Sequence, residues 1–237
     1  MKPTQHYLAI DLGPTEGTLA LFVKDEPTSI YEYPLGGDFR HTERIIPALD
    51  QLLSQNQRSL LDLAGVVVNQ GPGSFTGLRV AFATAKALVA SLGVPLYSIN
   101  GAEARWLSFL SERTSEVAPP SARVVTSLTP VKFLLHAFQD GEGVEEREKL
   151  IDRTELEARV GSGRDLLLID SATHLLLGFP QSAANLILIP SRALSLALAF
   201  GRAESETCFT TLSEITSASP FYAGTARFEN RPKHLQS

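Results

Sequence analysis

Three glycines, Gly71, Gly73 and Gly77, follow an apolar run at 63–68 and open a long apolar stretch. A strand, a glycine turn and a helix in that order present free N–H groups and the positive end of a helix dipole. Both favour an anion. The spacing is G-x-G-x-x-x-G, however, which is not the dinucleotide fingerprint. No Gly-Lys-Ser/Thr closes a Walker loop either. Arg79 is the one basic residue near the helix start. Two readings stay open at this turn: an anion contact through Gly73 and Ser74, or a tight turn with Ser74 as a helix cap.

The remaining chemistry is sparse. Asp11-x-Gly13, with Thr18 beyond it, has the form of a phosphate turn of the actin-like ATPases and sugar kinases, where an Asp handles metal-bound phosphate. A hairpin turn explains the same residues equally well. The five histidines, at 6, 41, 136, 174 and 234, include no H-x-x-x-H or H-E-x-x-H pair and so no recognisable metal-ligand spacing. This makes a metallopeptidase a poor reading. No G-x-S-x-G elbow exists. Cys208, the only cysteine, has no activating neighbour in sequence. Asp170 ends an apolar strand, a place where ligands gather in α/β folds, and it is equally suited to cap a helix.

The whole chain sets bounds on these sites. Its 237 residues are 43% apolar with net charge −5, enough for a real core in one large domain or two lobes. The negative charge argues against unaided nucleic-acid binding, which Lys and Arg drive. One cysteine excludes an intrachain disulfide and suits a reducing compartment. The apolar run at 7–10 is too short for a signal peptide. No segment is expected to reach the roughly 20 apolar residues of a membrane span. The expectation is a cytoplasmic α/β protein.

The elements that must position these residues follow from periodicity. Apolar runs at 7–13, 18–23 and 29–35 read as a three-strand meander. In the stretch 41–55, Ile45, Ile46, Leu49, Leu52 and Leu53 fall on one face of a helix, with Thr42 as N-cap and Pro47 near the first turn. Strand 63–70, helix 74–92 and strand 94–99 complete a mixed lobe. Beyond Asn100 come a short helix at 103–113, a linker-like stretch at 115–122 and two strands at 123–143 around a turn at 127–130. A weakly patterned charged segment spans 142–165. Short strands at 165–170 and 185–190 and an apolar helix at 191–203 follow. The stretch from 204 reads as a polar, partly mobile tail. The division expected is residues 1–102 and 103–237, with helix 191–203 packing back on the first lobe.

Helix 74–92 is unusual. Leu78, Phe82, Ala85, Val89 and Leu92 form a seam at spacings of four and three, while Ala83, Ala87 and Ala90 form a second face of small residues. A helix apolar on two sides is buried on two sides. Either the lobe covers both, or a partner covers one.

The stretch GPGSFTGLRVAFATAKAL at 71–88, preceded by His-Thr-Glu-Arg at 41–44 and a Val-rich strand, resembles the TsaB family. The resemblance is firm over about residues 5–104 and collinear to about 224, where Pro220-Phe221-Tyr222 matches a late Pro-x-Tyr element. It implies an actin-like fold of two lobes, each a mixed β-sheet flanked by helices. It also implies a non-catalytic subunit for threonylcarbamoyladenosine modification of the tRNA adenosine beside the anticodon. Such a subunit pairs with a TsaD-like catalytic subunit that holds the metal, through the helix at 42–55 and the glycine-turn helix in a four-helix bundle. A TsaE-like ATPase joins the pair, and tRNA is met only through the complex. A homodimer is open to the isolated chain. No tightly bound cofactor is implied, with room for ATP or ADP at the junction with partners.

From periodicity the contact positions expected are Ile45, Ile46, Leu49, Leu53, Leu78, Phe82 and Val89, so a charge at Phe82 or Val89 is expected to break assembly without unfolding. Residues open to a nucleotide or anion are Asp11, Gly73 and Ser74. The alternative is an actin-like ATPase or kinase using Asp11 and the glycine turn. Three departures from the family pattern weaken nucleotide binding by the second lobe and leave the docking expectation standing: Thr126-Ser127-Leu128 for Asp-Ala-Arg, Ile169-Asp170-Ser171 for a Gly-Asp-Gly-like turn, and Leu12-Gly13-Pro14 where hydroxylated residues are usual.

Overall fold

The computed structural model describes residues 4–12, 17–26, 28–36, 41–112, 122–129, 131–138, 148–162, 166–179, 185–189 and 193–222. Gly13 and Pro14 lie outside these residues, as do the turn residue Pro130 and everything after Tyr222.

The first sheet grows from alternation of period two. In β1 (His6–Asp11) and β2 (Gly17–Val23), Leu8, Ile10, Leu19 and Leu21 point to one core, and Tyr7, Ala9, Ala20 and Phe22 to another. A strand buried on both faces reads as a continuous apolar run. β3 (Ile30–Gly36) completes an antiparallel meander. β4 (Leu63–Gly71) then pairs parallel with β1, and β5 (Leu96–Asn100) parallel with β4.

The second sheet repeats this plan. β6 (Ala122–Thr129), β7 (Lys132–Phe138) and β8 (Glu148–Asp152) form an antiparallel meander. β9 (Leu166–Ile169) pairs parallel with β6, and β10 (Leu186–Leu188) parallel with β9. The orders are β11-β5-β4-β1-β2-β3 and β10-β9-β6-β7-β8. Apart from the added edge strand β11 (Thr207–Phe209), each sheet has the same topology. This duplication is the actin-like two-lobe architecture.

Helices cover both faces. α1 (His41–Gln55) and α2 (Phe75–Leu92) pack on one face of the first sheet. α6 (Ala193–Ala199) packs on the other beside α3 (Gly101–Glu112). α3 also places Trp106 and Phe109 against Ala122, Val124 and Leu168 of the second sheet, so it touches both lobes. α4 (Arg153–Ser162) and α5 (Ser171–Leu177) cover the far face of the second sheet.

Three expectations change. The charged segment before 165 contains β8 and α4, whose fully committed core residues are Ile151 and Leu156; so few apolar positions leave little periodicity to read. The stretch from 204 is no loose tail as far as Tyr222. Glu103 accepts from the N–H groups of Glu204 and Ser205 at 2.7 and 3.0 Å. β11 then extends the first sheet, and α7 (Leu212–Ser217) buries Ile215 against the core that holds α1 and α2. Finally, α2 is long and apolar enough to span a membrane by length and composition. Its buried residues Leu78, Ala81, Phe82, Ala85 and Val89 form instead one face turned to the lobe's interior.

Candidate docking face and inter-lobe junction

The glycine turn is built by close approach. A Cβ on Gly77 would stand 1.8 Å from the Leu12 carbonyl oxygen, so only glycine lets the first turn of α2 sit on the end of β1. Gly71 has φ +116°, and a Cβ there would meet the Phe221 carbonyl oxygen at 2.4 Å. Ser74 is the N-cap, its Oγ accepting from Gly77 N at 3.2 Å. Gly93 closes the helix in the left-handed region, φ +68°. Both glycine contacts and the cap serve packing, which is the second of the two readings open for this turn.

Asp11 is buried and accepts from Asn69 Nδ2 at 3.0 Å. Asn69 Oδ1 accepts from Gly71 N at 2.8 Å, so Asp11 is tied through Asn69 to the glycine turn. The Thr18 hydroxyl, facing Asp11 across the β1–β2 pair, accepts from Ala193 N at 2.7 Å and fixes the start of α6. Both side chains of the phosphate-turn motif thus make protein contacts.

The residue missed in sequence is Arg105. It is buried on α3, where Nη1 donates to Asp170 Oδ2 at 3.2 Å and Nε to the Gly101 carbonyl at 3.1 Å. Nη2 donates to Thr126 Oγ1. Asp170 also caps α5, accepting from Thr173 N at 2.7 Å. Burial pulls the Arg105 pKa down, and the charges of Asp170 and then Asp11 hold it up. The two second-lobe departures, at Thr126 and Asp170, are the positions this guanidinium bridges. The only sequence signal was a cation flanked by Ala104 and Trp106 on a helix whose neighbours are mostly apolar.

The seven expected contact positions divide unequally. Ile45, Leu49, Leu53, Leu78, Phe82 and Val89 are buried within the chain, and only Ile46 is half exposed. This corrects the expectation. The apolar seam of α2 faces its own sheet, because Leu8, Ile10, Leu19, Val66 and Val68 supply an apolar surface to meet it. The exposed stripe is the small one: Thr76, Arg79, Ala83, Ala87 and Ala90, at spacings of three and four. On α1 the exposed residues include Glu43, Ile46, Pro47 and Asp50. Side-chain placement of His41 lies outside the described residues.

At the start of the stripe, Phe75, Arg79 and Tyr222 cluster. The Arg79 guanidinium lies 3.8 Å from the Phe75 ring centroid and 5.5 Å from that of Tyr222. Its Nε donates to the Tyr222 hydroxyl oxygen at 3.0 Å. Phe221 N donates to the Gln70 carbonyl at 2.6 Å, which seats Pro220-Phe221-Tyr222 on the glycine turn. Among the described residues, no group of three or more His, Cys, Asp or Glu is placed to hold a metal.

Fold and junction define an actin-like protein whose two lobes are joined through a buried arginine of its own. Comparison places this more narrowly. The family model for TsaD, the tRNA N6-adenosine threonylcarbamoyltransferase, matches residues 36–127. The tRNA threonylcarbamoyladenosine biosynthesis protein TsaB of Bacillus subtilis is 36% identical over 96 residues, 40% of this chain and 41% of that protein. TsaB of Haemophilus influenzae is 32% identical over 93 residues, 39% and 38% of the two chains. The aligned region spans about two fifths of each of these relatives. YeaZ from Pseudomonas aeruginosa shares the fold over 92% of this chain and 99% of its own, with TM-score 0.66 and 16% identity. The chain is similar to TsaB in sequence and to YeaZ in fold.

Proposed function

We propose that this chain is the non-catalytic subunit of a tRNA threonylcarbamoyladenosine-forming complex, and that it holds a TsaD-like catalytic subunit against the outer faces of α1 and α2. The observation that carries this reading is the exposed line Ala83, Ala87, Ala90 on α2, with half-exposed Ile46 on the neighbouring helix. Small side chains let a second helix approach closely, and packing then stabilises by area and fit. Binding the folded, competent form of the catalytic subunit raises its population by mass action.

The buried Arg105–Asp170 pair favours this reading over an ATPase or kinase using Asp11 and the glycine turn. The Arg105 guanidinium is bonded to Asp170 and its charge is felt by Asp11, so the carboxylate that such an enzyme would use already has a fixed cation of the chain acting on it. On this reading the protein works without a tightly bound cofactor, in the cytoplasm, and meets tRNA through the complex. A TsaE-like ATPase joins the pair, and ATP or ADP has its place at the junction of subunits rather than in this chain alone.

Size-exclusion chromatography with light scattering tests the proposal, on the protein alone and mixed with the TsaD-like and TsaE-like proteins of the same organism. A one-to-one complex with the catalytic subunit is expected, displacing any homodimer formed through the same self-complementary face. A chain whose mass is unchanged by either partner overturns it.

A further inference from the structure

We infer that Arg79 is the polar anchor of this docking face and receives a carboxylate side chain from the partner helix that packs there. The inference rests on the scaffold reading and specifies the chemistry of its interface.

Arg79 occupies the stripe of Thr76, Ala83, Ala87 and Ala90, one turn from Ala83. Its guanidinium is held in place by the Phe75 ring, 3.8 Å away, and by Tyr222, whose ring centroid lies at 5.5 Å and whose hydroxyl accepts from Nε. Phe75 and Tyr222 also contact one another, with ring centroids 4.7 Å apart. This fixes the plane of the group and uses one edge of it. Among the described residues Nη1 and Nη2 have no further partner, and the side chain is exposed. A guanidinium held in this way presents two parallel N–H donors to a carboxylate and loses little entropy on binding it.

The position selects a protein carboxylate. Three alanines along the stripe admit a helix backbone to close range, and a side chain from that helix reaches Arg79 as the contact excludes water. The first turn of α2 carries the positive end of the helix dipole, which adds to the attraction for a negative group. A net charge of −5 works against a polyanion at this face.

Tyr222 gives the arrangement a second control. It arrives from the C-terminal side of α7 and is seated by the Phe221–Gln70 hydrogen bond beside Gly71. Removing its hydroxyl frees Arg79 Nε while leaving the charge in place, so orientation and charge can be separated.

Affinity for the same organism's TsaD-like subunit, measured by calorimetry on full-length Arg79→Met, Arg79→Lys, Tyr222→Phe and Ala87→Glu, tests the inference. Arg79→Met is expected to weaken binding roughly ten- to a hundredfold, the range for a lost charge-assisted hydrogen bond. Arg79→Lys should recover only part of this, and Tyr222→Phe should fall between wild type and Arg79→Lys. The difference between wild type and Arg79→Met should narrow as salt is raised. Binding of Arg79→Met within twofold of wild type, with Ala87→Glu abolishing it, overturns the role of Arg79 and leaves the docking face standing. A wild-type protein that does not bind, or an Ala87→Glu variant that binds normally, overturns both.

Discussion

Arg105 on α3 and Asp170 at the end of β9 lie 3.2 Å apart, both nearly excluded from solvent, and join the helix shared by the lobes to the second sheet. Such a pair is costly to desolvate, and breaking it from one side leaves a buried charge. Arg105→Met should therefore destabilise by about 3–5 kcal/mol. Asp170→Asn keeps an acceptor for the α5 cap while deleting the charge. The double variant should lose less than the sum of the two single changes, as expected for groups in contact. Urea unfolding of the four proteins measures the cycle; additive losses would show that the pair contributes no coupling.

The docking face predicts opposite outcomes for two substitutions two residues apart on α2. Ala87→Glu is on the exposed stripe and should leave stability within about 0.5 kcal/mol of wild type, as surface changes do, while preventing assembly. Val89→Glu puts a carboxylate into the core at a position 1% exposed. It should unfold the protein or lower its melting temperature severely, so loss of assembly there reports nothing about the surface. Circular dichroism melts alongside the binding assay separate the two.

These two positions show what the sequence could and could not convey. Spacings of three and four identified α2 as a helix with two apolar faces, and the strand runs around Ile10, Leu19 and Val67 marked the first lobe. Periodicity has no sign, however. It could not tell that the seam of Leu78, Phe82 and Val89 turns inward, because that depends on how much apolar surface β1, β2 and β4 offer. The second lobe was harder, since β8 and α4 commit so few residues to the core. Arg105 was invisible for another reason: its partners, Thr126 and Asp170, lie 21 and 65 residues away.

Glycines at the two ends of α2 should differ sharply on substitution by alanine. Gly77→Ala drives a Cβ to 1.8 Å from the Leu12 carbonyl, so the helix start must move off β1. Gly93→Ala meets nothing within 4 Å and pays only for its positive φ, about 1–2 kcal/mol. Thermal melts should rank Gly77→Ala well below Gly93→Ala. Hydrogen exchange should place the added opening at β1 and the first turn of α2.

Glu214 supplies a pH test of the α7 anchor. Hydrogen bonds from the Thr211 and Thr210 N–H groups to its carboxylate hold its pKa at about 2, against the ordinary 4.5. A carboxylate depressed in the folded state stabilises fully above its unfolded pKa, and that contribution is lost as pH falls through the folded value. The capping box should therefore hold from neutral pH to about 4.5 and weaken progressively from there toward pH 2. An NMR titration of the Glu214 side chain should give a midpoint near 2. Glu214→Gln should raise hydrogen exchange in α7 at pH 7 and remove its acid dependence. A midpoint at the ordinary glutamate value would mean that the capping bonds do not persist in solution.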